Sequence, residues 1–355
     1  MKRKGLFFIL CTFLLLQSSC GATPKILDDV QLATVIGLDP AENHDVKMTI
    51  SFPVFNPDET TTNETFTTQA RTLNENLNGA GAQSSKVIET GKLDTIVINE
   101  ELAKQGITDY LDFLKRGANT GAKLYIVISE SPAQSLLKGE YAAQDLGVYL
   151  DSMLQQNMNK RMIPEMNLHL YQYALFSTGG DPILPILKQS KDVVEISGIA
   201  IMDKDKFVEK IPFEDTFYFN AIYDDVAKGA HRAKDEEGNI AYIRRIDSIR
   251  TVNFNKKDHS LTLSVDMEGE VLEYTGSHFT EERSKEVEEN LKNRIEEKGL
   301  QMLKRFQELN VDPLGFGDDI QGRAGFSWQE WQQTYPNLKM NVTANVIIVN
   351  KGISE

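Results

Sequence analysis

The sequence predicts an α+β protein: three mixed α/β domains in series, the last an antiparallel sheet packed by one long helix. Three stretches carry that prediction. Residues 95–137 run apolar strand, helix, apolar strand, helix, the pattern of a crossover unit. Leu261, Leu263, Val265 and Met267 alternate with Thr262, Ser264, Asp266 and Glu268, the period of a half-buried strand. Residues 281–309 repeat apolar positions at helical spacing, which at 1.5 Å per residue makes a helix about 40 Å long.

The N-terminus has an organisation of its own. Lys2, Arg3 and Lys4 precede an almost wholly apolar run from Leu6 to Leu16, followed by small residues. This is the order of a secretory signal, and the run is too short to cross ~30 Å of hydrocarbon. Ser18-Ser19-Cys20-Gly21 stands at the cleavage site and resembles a bacterial lipobox, in which the cysteine is acylated and becomes the new N-terminus. Gln17 departs from that pattern, which prefers Leu. The competing readings are simple secretion and an uncleaved signal anchor. Removal of residues 1–19 from the 355-residue chain leaves 336 and takes the net charge from −14 to −17. Two acyl chains on Cys20 would hold the protein to a bilayer at about 0.8 kcal/mol per buried methylene. The other cysteine, Cys11, leaves with the signal, so no thiol remains for a disulfide, a zinc-thiolate site or a nucleophile. The fold must be held by its cores, which this length permits. The acidic balance argues against nucleic acid as a partner.

Residues 20–142 are expected to form the first α/β domain. Val30–Leu38 and Val46–Val54 read as strands, and Pro53 places the second at or near an edge. Asn56–Thr68, rich in Thr and Asn, reads as an exposed loop. A helix follows near Thr72–Asn78, broken by Gly79-Ala80-Gly81. Thr95–Ile98 and Leu124–Ile128 are short apolar strands, with helical segments from Glu100 to Lys115 between them and another opening at Pro132. Ser129-Glu130-Ser131 falls at a strand C-terminus, where such sheets bind small molecules, although an ordinary strand-to-helix cap explains it as well.

Residues 143–225 read as a small middle α+β domain. An amphipathic helix spans Gln144–Asn157, Leu168–Phe176 fits strand or helix, and Gly179-Gly180-Asp181-Pro182 is a turn. Val193–Met202 and Phe207–Ile211 form a hairpin around Asp203–Lys206, and Glu214–Tyr223 is helical. Residues 226–355 form the third domain. Strands cover Ile240–Phe254 and Leu261–Met267, and a final strand covers Leu338–Val349. The long helix Glu281–Leu309 is capped by Thr280 and carries Glu281 and Glu282 at its positive end. Its inward face is Val287, Leu291, Ile295, Met302, Leu303, Phe306 and Leu309, with Gly299 as a gap. Glu281–Lys285 and Glu288–Lys292 are i,i+4 pairs, and Asn310 with Pro313 stops the helix.

Catalytic constellations are missing from the sequence: no Gly-x-Ser-x-Gly elbow, no His-Glu-x-x-His, no Walker loop. His44, His231, His259 and His278 sit in polar stretches and read as solvated, while His169, among apolar residues, reads as a satisfied core histidine. Asp224-Asp225 and Asp318-Asp319 are paired carboxylates without the other ligands of a calcium loop. The charged stretch Glu286–Glu289, with Glu296-Glu297, reads as a solvated helix face. Asp312-Pro-Leu-Gly-Phe-Gly317 is more particular: two glycines bracket Phe316 directly after the long helix, so Phe316 is expected to turn inward as a plug. Trp328 and Trp331 share a helix face and read as core rather than contact surface.

Those features in order — a lipobox at Cys20, a strand ending in Gly37-Leu38-Asp39, the long charged helix, Asp312–Gly317, Trp328, Trp331, Tyr335 and a valine-rich last strand closing at Gly352 — resemble the C-subunit lipoproteins of spore germinant receptors, the Ger(x)C family. The resemblance runs over essentially the whole mature chain. It implies three α/β-type domains and a lipid-anchored place on the outer leaflet of the spore inner membrane. It further implies assembly with membrane subunits A and B of a germinant receptor. It implies no catalytic, cofactor or metal-binding residue, so Cys20, the lipidation site, is the one functional position it transfers. Two other classes compete: a lipid-anchored solute-binding protein serving a membrane transporter, which predicts a cleft between two similar lobes, and a surface hydrolase.

Overall fold

The computed structural model describes residues 29–57, 60–116, 123–141, 144–225, 228–324 and 327–349. The expected signal segment, Cys20, the following tether and the closing residues from 350 lie outside them.

The N-terminal part is built on one eight-stranded sheet. Its strands are β2 (Val35–Pro40), β3 (Val46–Phe55), β4 (Thr61–Ala70), β6 (Thr95–Asn99), β7 (Tyr125–Ser129), β8 (Ile183–Ser190), β9 (Val193–Asp203) and β10 (Lys206–Pro212), in the order β10-β9-β8-β7-β6-β2-β3-β4. Two short strands, β1 (Val30–Leu32) and β5 (Val87–Glu89), pair with each other beside it. The four central strands β8, β7, β6 and β2 are parallel, and each flank is an antiparallel extension. Every residue of β6 and of β7 is buried, as parallel strands covered on both faces require. Alternate residues then serve two cores. Ile96, Ile98, Ile126 and Ile128 face one layer with α1 (Leu73–Gly81), α2 (Glu100–Ala103), α3 (Thr108–Arg116) and α6 (Leu168–Phe176). Val97 and Val127 face the other with α4 (Ala133–Lys138) and α5 (Leu146–Asn159).

Several expectations change here. Strands from both sides of residue 142 hydrogen-bond in this sheet, Ile128 of β7 opposite Ile186 of β8, so the first two expected domains share it. The Thr-rich stretch read as a loop is β4, a full antiparallel partner of β3; Thr is β-branched and suits an edge strand that is never fully buried. Helix α1 runs through Gly79 to Gly81, held at its start by a capping box of Thr72 and Glu75. Leu168–Phe176 is helical.

The C-terminal part is a four-stranded sheet in the order β11-β12-β13-β14, of β11 (Ala230–Lys234), β12 (Ile240–Asn255), β13 (Ser260–Tyr274) and β14 (Lys339–Val349). One face is covered by α7 (Thr216–Tyr223) and by α8 (Glu281–Leu309). Thr280 caps α8 by accepting from Arg283 N, and Asn310 ends it in the left-handed conformation. The inward face of α8 is buried as expected from Val287 to Phe306, with Leu309 half-buried at its end, and Gly299 brings the helix close to Ile222 and Val342, where a Cβ would lie 3.2 Å from each. The first two pairings are antiparallel, but β14 runs parallel to β13. The expected all-antiparallel sheet is therefore mixed, because α8 and the segment after it form a crossover connection. Two glutamates of α8 also differ from the solvated face expected of them. Glu288 and Glu296 accept from Ile348 N and Ala344 N, both at 2.8–2.9 Å, and so cover the N–H groups of edge strand β14. Lys292 consequently pairs with Glu289, at 3.2 Å, rather than with Glu288.

Candidate functional site

Several of the residues singled out in the sequence converge on one place, the turn after α8. Asp312 is buried, and its carboxylate accepts from Phe316 N (3.1 Å) and Gly317 N (2.8 Å). Its backbone and that of the turn after α6 are tied reciprocally: Asp312 N donates to the Asp181 carboxylate (2.8 Å), and Asp181 N donates to Asp312 O (2.9 Å). Gly315 takes φ +68, which favours glycine, and a Cβ on Gly317 would lie 2.8 Å from the Gly179 Cα. The two chain segments therefore touch backbone to backbone. Burial pushes the Asp312 carboxyl up to about 7, against the opposing pull of the Gly317 and Phe316 N–H groups.

Phe316 is fully buried, as expected, and starts α9 (Phe316–Ala324). The Arg250 guanidinium lies over its ring at 5.3 Å. Both expected acidic pairs meet the same arginine: Asp319 lies 3.7 Å from its Nη2, and Asp225 accepts from its backbone N. The Nη groups also reach the carbonyls of Tyr223 and Leu314. Asp318 instead accepts from Ser177 Oγ at 2.7 Å, and Asp224 lies 4.0 Å from Arg161. In helix α10 (Trp328–Thr334), Trp331 is buried and Trp328 half-buried, and Tyr335 O–H donates to Val311 O at 2.7 Å. The ensemble is a junction that locks the end of α8 to the first sheet's turn and to β12.

The remaining candidates are dispersed. Ser129 and Ser131 bond to nearby backbone, and Glu130 pairs with Lys210 and Ser197, so the strand edge is occupied by the protein's own contacts. His169 is exposed on α6 rather than in the core. His231, expected to be solvated, is half-buried: it stacks on Phe217 at 4.6 Å, meets Tyr218 O–H at 2.8 Å, and burial holds its pKa down to about 4. His44, His259 and His278 are exposed as expected. Among the described residues no group of His, Cys, Asp and Glu is placed to hold a metal ion. Cys20 lies outside the described residues.

Sequence reasoning missed both buried arginines of β12. The side chain of Arg250 is 13% exposed, while residue Arg245 is 1% exposed. Arg245 shares parity with inward-facing Ala241 and Ile243, a signal that was available. Arg250 was hidden by the irregularity between Arg245 and Asp247, which changes the facing of every later residue.

The two-sheet α+β architecture, with one long helix on a four-stranded C-terminal sheet, defines a class of multi-domain protein whose two sheets are tied together through the turn after that helix. Two adjoining family descriptions cover it: the spore germination protein N-terminal domain over residues 24–189 and the spore germination B3/GerAC-like C-terminal domain over residues 197–352. The chain belongs to this spore germination family. It is 29% identical over 366 residues to the spore germination protein GerQC of Bacillus cereus, covering 100% of both chains. It is 22% identical over 306 residues to YfkR of Bacillus subtilis (strain 168), covering 79% of this chain and 77% of that one. The crystal structure of the GerBC protein shares the fold, with a TM-score of 0.56 at 13% identity, over 89% of this chain and 97% of that one.

Proposed function

We propose that this chain is the lipid-anchored, non-catalytic C subunit of a spore nutrient germinant receptor, required for germinant-triggered germination. In this reading acylated Cys20 holds it on the outer leaflet of the spore inner membrane, beside membrane subunits A and B. The observation that carries the reading is the match to both halves of the family from residue 24 to residue 352. The signal-like segment ending at Cys20 supports the anchor. Among the described residues no helix is long and apolar enough to cross a membrane, and the lipid is the link this reading supplies. The junction supports a scaffolding role, because its acids and aromatic residues are engaged in bonds between the protein's own segments. A solute-binding protein would show two like lobes, whereas the described residues form an eight-stranded and a four-stranded sheet of different topology.

Affinity purification from detergent-solubilised spore membranes tests the assembly: integral membrane subunits are expected to co-purify, and their absence would contradict it. Metabolic labelling with a fatty-acid analogue tests the anchor. Wild type is expected to take label and Cys20→Ala to lose it, and equal labelling of the two would refute lipidation at Cys20.

A further inference from the structure

Among the described residues, the contacts of Arg245 leave half of its buried guanidinium fork unmatched. Its residue is 1% exposed, its Nε donates to Lys228 O at 2.6 Å, and its guanidinium carbon lies 5.6 Å from the Phe217 ring. Neither Nη has a hydrogen-bond partner among the described residues. Burying a charge without a hydrogen-bonded acid is unfavourable, and native proteins rarely do so without a purpose. Asp224, the acid that acts on it, stands 4.0 Å from Arg161 with its side chain half exposed, and Arg161 opposes it as a like charge.

This arginine lies at a groove of about 710 Å³ between the loop after α5, the start of β11 and the middle of β12. That size suits a small-molecule site. Met162, Ala230 and Ile246 give the groove apolar walls, and Lys160 and Lys228 add positive charge. The acid lining it, Glu270, is already paired with Arg244 at 2.6 Å. The site is thus locally cationic in a chain of net charge −14. Irregularities in the pairing with β13 fall on both sides of Arg244 and Arg245, between Tyr242 and Ile243 and between Arg245 and Asp247. Bulges re-aim side chains in this way beside binding sites. Gly229, at φ +101, covers the guanidinium; a Cβ there would lie 3.5 Å from Nη2. Glycine is the thinnest cover available and the one whose backbone shifts most readily.

We propose that this groove binds a small carboxylate carried on an apolar body, with the two Nη groups of Arg245 taking the carboxylate oxygens as Gly229 gives way. A guanidinium fork matches a carboxylate in bidentate geometry, and the ligand would supply the acid that the buried charge lacks. The apolar walls receive the body. Phosphate fits less well, since its second negative charge would face Met162, Ala230 and Ile246.

Isothermal titration of the full-length chain in detergent with isovalerate, isoamylamine and inorganic phosphate tests this. Saturable binding of isovalerate alone is expected, about tenfold or more weaker in Arg245→Met. Ala230→Glu, which places a competing acid on the wall, is expected to lose binding as well and keeps the test open if Arg245→Met does not fold. Absence of isovalerate binding to wild type would overturn the proposal. So would phosphate or amine binding of equal strength, or unchanged isovalerate binding in either folded variant.

Discussion

Arg245 and Arg250 lie five positions apart on one strand, and their surroundings are opposite. Arg250 is ringed by Asp225, Asp312 and Asp319, touches two backbone carbonyls and rests on Phe316. Arg245 has one carbonyl and one aromatic ring, and the like charge of Arg161 opposes it more strongly than half-exposed Asp224 favours it. Burial weakens the hold of both on their protons, and Arg245 is lowered to about 10. The difference separates two uses of a buried cation. One is surrounded by the acids that lock two segments together; the other is held without them beside an open groove. Removing a compensated charge strands its partners, whereas removing an uncompensated one relieves the molecule.

The comparison can be tested by making a new uncompensated charge. Leu291 on α8 is 1% exposed, and Leu291→Asp would place an unpaired carboxylate against the C-terminal sheet. A loss of about 5 kcal/mol is expected in thermal melts of the chain from Gly21. Phe316→Ala removes the ring under Arg250 and leaves a cavity in a fully buried site, at about 3–5 kcal/mol; low receptor abundance in spores would then account for any germination defect. An unchanged melt with normal abundance and failed germination would instead make Phe316 a contact residue.

Asp312 sharpens the acid side of the comparison. Its folded pKa of about 7 stands above the ordinary 3.8, so between those values the native state holds the proton that the unfolded chain has released. Its contribution is fully present below the unfolded pKa and is lost as pH rises through the folded one. His231, held at about 4 instead of 6.5, acts oppositely: its neutral burial costs stability as pH falls through that window. Denaturant melts of wild type against Asp312→Asn isolate the first effect. The stability gap between them is expected to narrow as pH rises from about 4 to about 7, and a gap that widens would reverse the assignment. The smallest effect belongs to Glu289, whose side chain is 59% exposed beside Lys292; Glu289→Ala should cost less than about 0.5 kcal/mol. A loss like that of Leu291→Asp would mean the faces of α8 are misassigned.

What was legible in the sequence followed from strong local codes. Helix α8 could be read with its cap, stop and inward face, because the 3.6-residue period persists across its length and Thr280 and Asn310 punctuate it. The inward turn of Phe316 followed from its flanking glycines and the end of the helix. The remainder depended on tertiary context. Polar β4 lacks the apolar alternation of a strand and exists because β3 offers it an edge. The parallel entry of β14 and the engagement of Glu288 and Glu296 by its outer-edge N–H groups are set by where the crossover returns. Exposed His169 and half-buried His231 show that neighbours in sequence do not determine burial on a short helix or an edge strand. At the candidate site, Asp312–Gly317 was recognised as unusual, but its partners Asp181, Gly179 and Arg250 are distant in the chain.

The most direct test of the central contrast is the melting temperature of Arg250→Met and Arg245→Met, measured side by side at neutral pH. Arg250→Met strands Asp312 and Asp319 and is expected to melt well below wild type, by about 3 kcal/mol. Arg245→Met, which removes an unpaired buried charge in favour of a similar apolar volume, should melt at or above wild type. A severe loss in Arg245→Met with little in Arg250→Met would contradict the account, because it would make Arg245 the residue that holds the fold and Arg250 the dispensable one.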